Sequence, residues 1–124
     1  MTQTQAVATL IEDYFNLAYE PKSRDFNKVF HPNCFVQWLD GGRLNMLSSQ
    51  DYAALIHGRP SPQSTGAPRD EAILSVEHIS DSLSTANVRV RIGQKLFNDH
   101  FVLHKVEGSW LITFKASYVA GTFD

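Results

Sequence analysis

The sequence predicts an α+β domain in which helices cover one face of an antiparallel sheet. Three observations predict it. Apolar residues recur at helical spacing only in the first half of the chain. The second half reads as four long strands separated by short turns. No linker, repeat or low-complexity tract divides the 124 residues, so residues 1–124 form one domain.

The first helix shows its buried stripe at Val7, Leu10, Ile11, Tyr14, Phe15 and Ala18. Thr2 or Thr4 caps its start and Pro21 stops it. A short second helix is expected from Ser23, with Phe26, Val29 and Phe30 on one stripe and His31-Pro32 at its end. Cys34 to Leu39 reads as a strand, Asp40-Gly41-Gly42 as a turn and Arg43 to Leu47 as the returning strand. A third helix starts at Ser48 or Ser49, buries Tyr52, Leu55 and Ile56, and ends at Gly58. The Pro- and Gly-rich stretch from Gly58 to Asp70 is a surface loop long enough to serve as a lid. Strands are expected over about 71–79, 85–92, 95–106 and 109–119.

Composition narrows the function classes. With 11 basic against 13 acidic side chains, the chain has no electrostatic footprint for nucleic acid or an anionic membrane. No run approaches the ~18 apolar residues of a membrane span, and the N-terminus lacks the pattern of a signal peptide. The single cysteine, Cys34, excludes an internal disulfide and fits a reducing cytoplasm. It sits on an apolar strand with no basic neighbour and reads as a small core residue. The five histidines are scattered, and His100 and His104 lie too far apart on one strand to share an ion, so neither metal nor cofactor is expected.

Turn chemistry proposes a register for the last strands. A two-residue turn at Glu107-Gly108 sets Leu103 opposite Ile112, Phe101 opposite Phe114, Asp99 opposite Ala116 and Phe97 opposite Tyr118. A turn at Gly93-Gln94 sets Val90 opposite Phe97 and Val88 opposite Asp99. One face then collects Val88, Val90, Phe97, Phe101, Leu103, Ile112, Phe114, Ala116 and Tyr118, beneath the helices. The other collects Arg89, Arg91, Asn98, His100, His104, Thr113, Lys115 and Ser117. Asp99 alone among charged residues falls on the apolar face. An isolated carboxyl group there favours its neutral form and can donate a hydrogen bond to an oxyanion. The other reading is a structural aspartate held by a backbone N–H, a tyrosine or an arginine.

The chain resembles the NTF2-like superfamily of cone-shaped α+β proteins, and within it the group labelled putative lumazine-binding or SnoaL-like, which implies three N-terminal helices packed on a curved, mostly antiparallel sheet. The resemblance rests on the order and spacing of the Tyr14-Phe15 helix, Phe30-His31-Pro32, Gly58-Arg59-Pro60-Ser61-Pro62, Pro68-Arg69-Asp70-Glu71, Val88-Arg89-Val90, Asp99 and Trp110-x-Ile112-x-x-Lys115. It implies a homodimer formed through the outer sheet face. Similarity to the ketosteroid isomerases of that superfamily implies an oxyanion hole made by Tyr14 and a protonated Asp99, the handling of a carboxyl group for which that enzyme is the standard example. Where those enzymes carry an aspartate base, this chain has Trp38, so proton abstraction has no identified agent.

Two readings follow. In one, the cone binds a small, largely apolar ligand without a cofactor and acts as an isomerase-, dehydratase- or cyclase-like enzyme. Tyr14 and Asp99 then polarise a ligand oxygen, and Trp38, His57, Phe101, Phe114 and Tyr118 are candidate ligand contacts. In the other, the chain is a non-catalytic dimeric binding or interaction module whose cone is filled by Trp38, Phe101 and Phe114. Arg59 and Arg69 bracket the long loop and either hold an acidic substrate or pin the loop through Asp70 or Glu71.

Overall fold

The computed structural model describes residues 1–123. Helix α1 spans Gln3–Tyr19 and α2 spans Ser49–Gly58; the six strands are β1 Phe30–Asp40, β2 Arg43–Ser48, β3 Glu71–His78, β4 Leu83–Ile92, β5 Lys95–Val106 and β6 Ser109–Thr122. They form one sheet in the order β2-β1-β6-β5-β4-β3, antiparallel throughout except that β1 runs parallel to β6.

Local chemistry sets each boundary. Thr2 caps α1 in a reciprocal pair with Gln5, and the Ser48 side chain accepts from the Asp51 N–H at the start of α2. Glu107 and Gly108 both have positive φ, as a two-residue hairpin turn requires, and Val106 pairs with Ser109. Gly41 and Gly42 make the same kind of turn between β1 and β2.

The expected second helix is not there. Two 3-10 turns, Pro21–Ser23 and Phe26–Lys28, take its place, and Phe30 already belongs to β1. The cause is local: the Asp25 side chain accepts from the Asn27 N–H and the Glu20 side chain from the Lys22 N–H, and these turns compete with helix propagation. His31-Pro32 therefore ends no helix. It lies inside β1, where the pairing with β6 jumps between Phe30 and Phe35, as expected where Pro32 has no N–H to offer the ladder.

The second correction bears on the site. β4 and β5 pair as the turn predicts, with Val88 opposite Asp99 and Val90 opposite Phe97. β5 and β6 start in the predicted register, with Leu103 opposite Ile112. A bulge then absorbs one residue of β6, so Val102 faces Phe114, Phe101 faces Lys115 and Asp99 faces Ser117. Beyond the bulge every side chain of β6 changes face. Phe114, Ala116 and Tyr118 turn to the outer face, while Lys115 and Ser117 turn inward under the helices.

Two inward rows cross the sheet as a result. One runs Val88, Asp99, Ser117, Trp38 and Asn45; the next runs Ala86, Phe101, Lys115, Val36 and Leu47. Helix α1 lays Val7, Leu10, Ile11, Tyr14 and Phe15 on this face, and α2 adds Tyr52 and Ile56. The loop from Arg59 to Asp70 is tied down. Ser61 donates to Glu20, the Gln63 N–H donates to the Tyr19 carbonyl, and Arg69 bonds Asn16 and Glu71. Arg69 thus pins the loop, whereas Asp70 pairs with Arg89.

Candidate functional site

Five polar side chains from four elements meet beneath the helices: Tyr14 (α1), Tyr52 (α2), Asp99 (β5), and Lys115 and Ser117 (β6). The Tyr14 hydroxyl donates to Asp99 Oδ2 at 2.6 Å and the Ser117 hydroxyl donates to Oδ1 at 2.8 Å. Lys115 Nζ lies 3.7 Å from Asp99 Oδ2 and donates to the Tyr52 hydroxyl oxygen at 2.8 Å. Asp99 is surrounded by donors and one cation, which is how a protein accommodates an ionised carboxylate. The ammonium also stands over both rings, 4.6 Å from the centroid of Tyr52 and 5.1 Å from that of Tyr14.

The electrostatics are self-consistent. Burial alone would lower the pKa of Lys115, but the Asp99 carboxylate and the Tyr52 hydroxyl outweigh it and the net shift is upward. Burial, then the adjacent Asp99 carboxylate, hold Tyr14 well above the ordinary phenol value. Lys115 therefore stays charged and Tyr14 keeps its proton, with that proton committed to Asp99. Burial pushes the Cys34 thiol up to about 12, partly offset by Lys115, which leaves it an inert core group.

Above this network opens a cavity of about 480 Å³. Val36, Trp38, Leu47 and Phe97 form apolar walls; Tyr52, Lys115 and Ser117 are its polar floor; Arg59, Lys95, Asp40 and Tyr118 are among its other lining residues. Of the residues singled out from sequence, Trp38 lines the cavity; Tyr118, turned to the outer face and 69% exposed, borders it near the C-terminal end of β6. Tyr14, Asp99 and Phe101 are buried and do not line it. Phe114 is on the outer face, so the cone is not filled by it. His57 is exposed, bonds the Ala53 carbonyl, and borders a separate shallow depression beside Glu20 and Lys22. Among the described residues no group of three or more His, Cys, Asp or Glu side chains is placed to hold a metal ion.

Tyr52, Lys115 and Ser117 are not legible as site residues in the sequence. The alternation Trp110, Ile112, Phe114, Ala116, Tyr118 runs unbroken through the bulge, so nothing in it marks the change of face. Tyr52 was legible only as part of a buried helical stripe.

This arrangement, a cone of helices on a bent sheet, is shared widely. The profile of a family described as putative lumazine-binding matches residues 2–118. The chain belongs to that family. Among solved structures, an NTF2-like protein of unknown function from Shewanella baltica is 21% identical, with 98% of this chain and 99% of that chain covered and a TM-score of 0.80. One from Silicibacter pomeroyi, also NTF2-like and of unknown function, is 20% identical over 96% and 99%, with a TM-score of 0.78. A domain of unknown function with a cystatin-like fold from Nostoc punctiforme is 12% identical over 98% and 81%, with a TM-score of 0.72. At these identities the likeness shows the NTF2-like fold. No curated protein matches the chain. No helix among the described residues is long and apolar enough to cross a membrane.

Proposed function

We propose that this family member binds a small, largely apolar molecule in the cone, with one polar end of the ligand held at the floor by Lys115, Tyr52 and Ser117. The observation that carries the reading is the unspent proton of Tyr52. Its oxygen accepts from the Lys115 ammonium, which cannot accept in return, and among the described residues no acceptor for the Tyr52 O–H is present. A 6%-exposed phenol on the wall of an apolar cavity, polarised by a cation behind it, is a pre-set donor for a ligand oxygen. The cavity lies within the roughly 300–1,000 Å³ of small-molecule sites and has their make-up, apolar walls with a few convergent polar groups.

In this reading Tyr14 and Asp99 are positioning residues. They fix Lys115, which fixes Tyr52, and the oxygen-polarising role passes from the buried pair to the residues that line the cavity. An isomerase-, dehydratase- or cyclase-like reaction would use the same donors. Asp40, exposed at one end of β1, is the one carboxylate among the described lining residues, so general-base chemistry at the floor has little support and binding is favoured. The exposed Phe35 and Met46 and the half-buried Phe114 on the outer sheet face support a homodimer formed there.

A thermal-shift screen of phenolic, aromatic and polyketide-like compounds tests this reading. Compounds that stabilise the native protein should lose their effect in a Leu47→Trp variant, whose indole fills the cavity. Equal stabilisation of both proteins would place the binding elsewhere and refute the proposal.

A further inference from the structure

Arg59 is the cavity residue left over by the network described above. Arg24, Arg69 and Arg89 each hold a carboxylate, and Arg91 holds the Gly93 carbonyl and the Gln94 side chain. Arg59 is half-buried, follows the last turn of α2 as its C-terminal cap, and has no hydrogen-bond or ion-pair partner among the described residues. It lies between the cone and the shallow depression beside it, lining both. Its charge reaches the floor, where it weighs against the protonated form of Lys115. Counting charges around the cavity, Asp99 offsets Lys115, and the lining also holds one further carboxylate, Asp40, and one further ammonium, Lys95. Arg59 is the cation of the cone with no carboxylate bonded to it among the described residues; Glu20, which lines the neighbouring depression with Arg59, accepts from the Lys22 N–H and the Ser61 hydroxyl.

We propose that the ligand is a monocarboxylate, an apolar body carrying one carboxylate that seats between the Arg59 guanidinium and the Lys115–Tyr52 pair. This rests on the cavity being a ligand site, as proposed above. A planar guanidinium matches a carboxylate in a two-pronged contact, and the free Tyr52 O–H supplies a further donor to the same group. Trp38, Phe97 and Leu47 then cover the apolar body. The excess of a single positive charge and the apolar walls fit a monoanion and disfavour a phosphate, which would bring a second negative charge to the site.

The test uses two probes of nearly equal shape, 1-naphthaleneacetate and 1-naphthaleneacetamide, titrated against the native protein by isothermal calorimetry. The acid should bind about tenfold or more tightly than the amide, the size of effect a charge-assisted hydrogen bond produces. Arg59→Met, at a partly exposed position outside the core, should bring the two affinities to within about twofold by weakening the acid more than the amide, and Arg59→Lys should keep part of the preference. Raising the salt concentration should narrow the gap in the native protein. Equal binding of acid and amide overturns the carboxylate inference while leaving the cavity as a ligand site. An acid preference that survives in Arg59→Met overturns the role given to Arg59. Failure of both probes to bind overturns the cavity reading itself.

Discussion

Replacing Lys115 by methionine removes the one cation that faces Asp99 and leaves that carboxylate, 2% exposed, with only the Tyr14 and Ser117 hydroxyls. Removing one partner of a buried ion pair costs about 3–5 kcal/mol, because the other charge is stranded. Two good donors remain on Asp99, which places the expected loss near the lower end, about 3 kcal/mol. With an unfolding entropy of about 2.1 cal/mol/K per residue, a chain of 124 residues should then melt roughly 12 °C lower. Urea unfolding followed by tryptophan fluorescence and far-UV circular dichroism measures the loss directly. The decisive comparison is a cycle with Asp99→Asn, which removes the charge but keeps an oxygen for one of the two hydroxyls. The double variant should be more stable than the sum of the single losses allows, by at least about 1.5 kcal/mol, since each change relieves the defect made by the other. Additive losses would mean that Lys115 and Asp99 do not act as a pair, and the network described here would be wrong.

Three further outcomes are expected. Tyr52→Phe should cost about 1 kcal/mol of stability, because Lys115 loses an acceptor, but should weaken 1-naphthaleneacetate binding about tenfold; unchanged binding would remove Tyr52 from the site. Stability should fall on the alkaline side. The thiol of Cys34 is held near 12 against an ordinary 9.0, and Tyr14 and Lys115 lie above their ordinary 10.0 and 10.5. In each case the unfolded chain gives up its proton first, so the stabilisation is complete below the ordinary value and is lost as pH rises towards the folded one. Equilibrium unfolding between pH 8 and pH 11 should show the decline beginning near pH 9, and later in Cys34→Ala; stability that holds or rises to pH 11 contradicts the assignment. Finally, light scattering should give twice the 13.9 kDa chain mass for the native protein and a single chain mass for Phe35→Asp on the outer sheet face. A native monomer would rule out the dimer.

Much of this fold is legible in the sequence because its signals are local. Helical spacing from Val7 to Ala18, the Ser48 cap and the glycine-bearing turns fix elements and most pairings without tertiary information. Even the position of Asp99 on the inner face, opposite Val88, follows from counting outward along both strands from Gly93-Gln94. The bulge in β6 is not legible, for a physical reason. Alternation reports a face only when the opposite face is polar, and here the outer face carries Phe35, Met46, Phe114 and Tyr118. A shift of one residue therefore leaves a sequence that still alternates, while it moves Lys115 and Ser117 from the outer surface to the floor of the cavity. The expected second helix fails for a related reason: Phe26 and Phe30 do face one core, but from a 3-10 turn and a strand, and spacing alone cannot separate that from a helical stripe.

The most direct test of the cone as a ligand cavity floored by Lys115, Tyr52 and Ser117 is a titration of ¹⁵N-labelled protein with 1-naphthaleneacetate followed by NMR. The indole N–H of Trp38 and the amides of Tyr52, Phe97, Lys115 and Ser117 should shift together and saturate at one concentration, while the indole of Trp110, at the other end of β6, stays in place. Shifts confined to the outer sheet face, or a Trp38 signal that does not move at saturating probe, would contradict it.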